Sequence, residues 1–86
     1  MKHAGGDALD RLEPLLSRVR KFDGLKEKKP GTFYRAGRAF LHFHEDPKGF
    51  FADVRLDEDF IRFEVTTRSQ QSNLVTKIRE RIGDRD

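Results

Sequence analysis

The chain has 86 residues, a formal net charge of +3, eight Phe and neither Cys nor Trp. That length supports one hydrophobic core, hence a single domain over 1–86, and a core that buries only about 60% of the unfolded surface leaves little apolar material for a deep pocket. The absence of Cys excludes disulfides and thiolate metal sites and points to a cytoplasmic protein, and no apolar run approaches the ~20 residues of a membrane span.

Residues Met1-Lys2-His3-Ala4-Gly5-Gly6 lack the apolar core of a signal peptide and read as a flexible, untargeted leader. Leu9, Leu12, Leu16, Val19 and Phe22 then recur at three- and four-residue steps, one stripe of an amphipathic helix. Pro14 lacks an amide donor, so the helix either begins near Glu13 or bends there, with a start placed between Asp7 and Glu13. Gly24 can end it. Leu25 through Gly31 is polar and closes on Pro30-Gly31, at best an edge strand guarded by its lysines. Thr32 to Arg35 and Arg38 to Glu45 form a hairpin around Ala36-Gly37.

Asp46-Pro47-Lys48-Gly49 is the clearest turn signal: Asp opens it, Pro fixes the next φ, and Gly takes the left-handed position. Closing that turn with Asp46 opposite Phe50 puts Phe40, His42 and His44 on one face with Leu56, Val54 and Ala52, the expected core face. Phe43 and Phe51 then fall on the other face with Asp53 and Arg55. Phe60 to Val65 alternates as a further strand. Thr67-Arg68-Ser69-Gln70 matches a capping box, and Leu74, Val75, Ile78 and Ile82 line the C-terminal helix it starts. Residues 84–86 read as a frayed tail. The order gives an α+β two-layer sandwich, an N-terminal helix, a three- to four-stranded mostly antiparallel sheet and a C-terminal helix. Its core is expected from Phe40, Val54, Leu56, Leu12, Leu16, Val19, Leu74 and Ile78.

His42-Phe43-His44 carries the most chemistry, because residues two apart on a strand point to one side. A metal site there needs a third ligand, and with His3 assigned to the leader both imidazoles are expected to be structural or partner-contacting, with no metal held. A metal or ligand site at His42 and His44 is the alternative. The carboxylates around the second hairpin read as a solvated face, and no nucleophile elbow, Walker A loop or dinucleotide fingerprint occurs, so no catalytic residue and no cofactor is assigned.

Charge is unevenly placed. Residues 18–38 hold Arg18, Arg20, Lys21, Lys26, Lys28, Lys29, Arg35 and Arg38 against Asp23 and Glu27, about +6, whereas residues 44–64 carry about −4. A basic arc of this kind suits an acidic protein partner or nucleic acid. Lys48-Gly49-Phe50 opens like an RNA-recognition motif, but Ala52 and Val54 stand where that motif needs aromatics. The function expected is a non-catalytic binding or interaction module, with His42, His44, Phe43, Phe51, Lys28, Lys29, Arg35 and Arg38 as binding candidates and a homodimer paired through Phe43 and Phe51. Nucleic-acid binding by the basic segment is the runner-up.

Phe40-Leu41-His42-Phe43-His44, then Gly49, then Ala52-Asp53-Val54-Arg55-Leu56, resembles short bacterial luciferase-like domains with a His-x-His, Gly, Asp-x-x-Leu series. Gly37-Arg38-Ala39-Phe40 is similar to a strand start in YjbR/MmcQ-like small α+β proteins. The first resemblance implies no light-emitting chemistry, and the second implies a DNA- or protein-binding module.

Overall fold

The computed structural model describes residues 1–83, so the tail expected at 84–86 lies outside the described residues. The elements are β1 (Lys2–His3), α1 (Gly6–Arg11), α2 (Glu13–Val19), β2 (Lys26–Lys29), β3 (Thr32–Arg35), β4 (Arg38–Asp46), β5 (Gly49–Arg55), β6 (Phe60–Glu64) and α3 (Arg68–Ile82). Among these residues the sheet has six strands where three or four were expected, in the order β2-β3-β4-β5-β6 with β1 added against β4. Every pairing is antiparallel. No helix among the described residues is long and apolar enough to cross a membrane.

Pro14 explains the broken N-terminal helix. It sits in the first turn of α2, where no intrahelical donor is required, and the chain bends between α1 and α2 at Leu12, whose ψ is 0°. The capping box of α3 is formed as expected: Gln70 donates its backbone N–H to Thr67 Oγ1 at 3.1 Å, and its side-chain oxygen accepts from the Thr67 amide at 3.0 Å. β2 is an edge strand with exposed lysines, as its composition requires.

Register is where the structure departs furthest from expectation. Pro47-Lys48 is a two-residue loop, with Asp46 opposite Gly49 and not Phe50, so that Leu41 faces Val54, Phe43 faces Ala52 and His44 faces Phe51. A slip of one residue exchanges the faces of a strand pair. Leu41, Phe43, Ala52 and Val54 therefore turn to the helices, and His42 and His44 turn away from the face first assigned to them. Phe40 stays in the core because a bulge between β3 and β4 leaves it unpaired beside Leu41, with both side chains buried.

Leu12, Leu15, Leu16 and Val19 from the N-terminal helices and Leu74, Val75 and Ile78 from α3 close that core over Phe33, Phe40, Leu41, Phe43 and Val54. Leu56, expected in the core, packs at its margin half-buried. The opposite face of β4, β5 and β6 carries His42, His44, Phe51, Asp53, Arg55, Phe60 and Arg62.

Candidate metal centre on the open sheet face

The first three residues of the site come from two strands. β1 is only two residues long, yet it pairs with β4 and sets His3 opposite His44. Ala4 donates its N–H to the Phe43 carbonyl at 3.0 Å, and Gly5 donates to Glu45 Oε2 at 2.8 Å. The segment assigned to a flexible leader is thereby tied down at three successive residues, and it delivers the third histidine that the His42-Phe43-His44 pattern lacks.

One nitrogen from each of His3, His42 and His44 lies within 4.8 Å of the other two. Nδ1 of His42 is 3.0 Å from Nε2 of His44. Two imidazole nitrogens bound tetrahedrally to one zinc ion stand about 3.3 Å apart, so the β4 pair already has the required spacing. The His3 ring is exposed and stacks on His44 with centroids 4.8 Å apart.

Beside the imidazoles lies a charged pair, Asp53 and Arg62. Asp53 Oδ2 is 3.0 Å from His44 Nε2, and Arg62 grips the same carboxylate twice, Nε to Oδ1 at 2.7 Å and Nη2 to Oδ2 at 2.9 Å. That fork holds the Asp53 carboxyl below its ordinary pKa, against the opposing effect of burial. The aromatic ring of Phe60 lies edge-on to His42 at 4.8 Å. Burial first, and the neighbouring His44 second, push the His42 imidazole below its ordinary pKa. A neutral His42 keeps a lone pair available, the form a metal requires.

The site is also accessible. β3 and β1 pair with successive parts of the same side of β4, at 38–41 and 44–45. Between them opens a cleft of about 420 Å³ whose walls include His3, His42, Tyr34 and Pro30. Its volume is within the range of small-ligand sites, roughly 300–1,000 Å³.

The other candidate residues are dispersed. Phe43 is 3% exposed in the core, which removes it from any surface and with it the homodimer contact drawn through Phe43 and Phe51. Phe51 is half-buried on the open face. Lys28 lies over the Tyr34 ring at 4.7 Å and Lys29 is exposed on the same edge strand, while Arg35 and Arg38 face each other across the β3–β4 turn. Arg20, from the same basic segment, is held by Glu13 and Glu27, each at 2.6 Å. The expected basic arc is thus divided among separate places.

Sequence reasoning missed His3, Asp53, Phe60 and Arg62. A two-residue strand has no periodicity to detect. The alternation of Phe51, Asp53 and Arg55 with Ala52 and Val54 does mark a polar face, and matching apolar Leu41 and Phe43 to it would have placed the histidines there. Comparison with protein-family models, with curated proteins and with solved structures finds no match for this chain.

Proposed function

We propose that this protein is a small binding module for a divalent transition-metal ion, held by the imidazoles of His3, His42 and His44. The observation that carries the reading is the convergence of three histidine nitrogens within 4.8 Å on two paired strands. Imidazole donors favour zinc, copper, nickel or iron over magnesium and calcium, which prefer oxygen. Asp53, gripped by Arg62, lies beside the same His44 nitrogen and adds negative charge that favours a cation there. Three protein ligands leave a fourth tetrahedral position, and the cleft beside His3 and His42 gives a small ligand access to it.

Among the described residues no serine, threonine or lysine nucleophile stands against the His44–Asp53 pair, so the reading is of binding without turnover. It is an alternative to the expectation that His42 and His44 are structural or partner-contacting, which rested on an incomplete ligand set.

Zinc titration of the full chain by calorimetry and by NMR of the imidazole resonances tests the proposal. One zinc per chain should shift all three rings, with no comparable response to magnesium. His3→Ala alters only an exposed ring and should weaken zinc at least about 10- to 100-fold while leaving the fold intact. Wild-type zinc affinity in that variant would sink the three-histidine site.

A further inference from the structure

A second concentration of chemistry lies where the β3–β4 turn meets the end of β5 and the last turn of α3. Arg35 and Arg38 flank Ala36-Gly37 as register partners, Arg55 ends β5, and Arg81 reaches in from α3. Together with Phe40 and Asp57 these four arginines line a cleft of about 230 Å³.

Two of the guanidiniums, those of Arg55 and Arg81, are positioned by neutral acceptors. Arg55 donates through Nε to the Ala39 carbonyl at 2.9 Å and through Nη1 to the Glu58 carbonyl at 2.8 Å, and it lies 4.3 Å over the Phe60 ring. Arg81 Nε donates to the Leu56 carbonyl at 2.6 Å. These acceptors are neutral, and among the described residues no carboxylate comes within ion-pair distance of any of the four arginines. Four arginines thus line one cleft, with Asp57 the one acid in its lining.

Such an arrangement selects its ligand by charge and shape. The planar guanidinium fork matches the paired oxygens of phosphate or carboxylate, and several forks around one cleft favour the more highly charged phosphate. The volume falls below the usual drug-sized range of roughly 300–1,000 Å³ and accommodates a phosphoryl head group with a short substituent. We propose that Arg35, Arg38, Arg55 and Arg81 form a binding site for the phosphoryl group of a small phosphate monoester or diphosphate. This site is independent of the metal centre.

Amide and guanidine NMR of the metal-free full chain, titrated at constant ionic strength with pyrophosphate, inorganic phosphate and acetate, tests it. Pyrophosphate should bind most tightly and acetate least, with the largest shifts at Gly37, Ala39 and the Arg55 Nε–H. Arg35→Gln and Arg38→Gln change side chains at a surface turn and should each weaken pyrophosphate by about tenfold. Lys28→Gln, on a different strand edge, should leave it within about twofold. Equal weakening by Lys28→Gln would show diffuse charge attraction and overturn the site, as would acetate binding as tightly as pyrophosphate or unaltered affinity in both arginine variants. Tight binding of duplex DNA that depends on Lys28 and Lys29 as much as on Arg38 would assign the cluster to a nucleic-acid face instead.

Discussion

Gly49 combines two requirements that only the glycine residue type meets. Its φ of 145° lies where side chains are strained, and a Cβ there would overlap Thr66 Oγ1, the oxygen that accepts the Phe50 amide at 2.9 Å. Gly49→Ala should therefore destabilise the domain by about 1–3 kcal/mol from backbone strain, with further loss if Thr66 is displaced. Urea unfolding measures it, and a midpoint equal to wild type would contradict this geometry. A second residue-scale expectation concerns acid. Glu27 is held below its ordinary pKa chiefly by the hydrogen bond from Arg20, with the Gly31 amide adding to it at 2.8 Å. The folded state then binds that proton less readily than the unfolded chain does. Stability from Glu27 is fully present above the unfolded value of about 4.3 and is lost as pH falls through the lower folded value. Glu27→Gln should accordingly flatten the acid limb of the stability curve below about pH 4.3 while lowering stability at neutral pH; an unchanged acid limb would show that the Arg20 pair does not persist in solution.

At the scale of elements, the legible parts were those with local chemistry. Thr67 and Gln70 announced the start of α3, Asp46 through Gly49 the second hairpin, and Ala36-Gly37 the first. Ala36 at φ 51° and Gly37 at φ 82° make the left-handed pair that a two-residue hairpin needs. What local signals did not settle was the length of the Pro47-Lys48 loop, and one residue there decides which face His42, Phe43 and His44 occupy. Phe40 does not discriminate between the registers, because the bulge keeps it buried under either one. Two substitutions separate the alternatives. Phe43→Ala should cost about 3–5 kcal/mol, on the scale of the whole stability of so small a domain, whereas Phe51→Ala on the open face should cost much less. Reversed costs would restore the register with Asp46 opposite Phe50. Ala36→Asn, better suited to the left-handed region, should stabilise by several tenths of a kcal/mol.

For the molecule as a whole, the helices close one face of the sheet, and the other is free to carry polar groups that the core could not hold. On that face a run of side chains leads from the three-histidine centre to Arg55 of the four-arginine cleft at the sheet's end, His42 meeting Phe60 edge-on and Phe60 lying under Arg55. Neither site could be assembled from sequence spacing, since His3 and His44 are 41 positions apart and Arg35 and Arg81 are 46. That separation gives the metal centre a thermodynamic signature. An ion bound by His3, His42 and His44 ties β1 to β4 only in the folded state, so zinc should stabilise the domain by mass action, by about 2.7 kcal/mol at a free concentration 100 times Kd. For a domain of this size that corresponds to a rise in Tm of roughly 10–20 °C, less if the unfolded chain also binds zinc through its histidines. The rise should fade as pH drops below about 6, because protons compete with the metal for the imidazole nitrogens. Thermal unfolding of wild type and His3→Ala, with zinc and with chelator at pH 7.5 and at pH 5.5, is the decisive set. The stabilisation should appear only in wild type, only with zinc and mainly at the higher pH. An equal rise in His3→Ala would place the metal elsewhere and leave β1 without the role assigned to it.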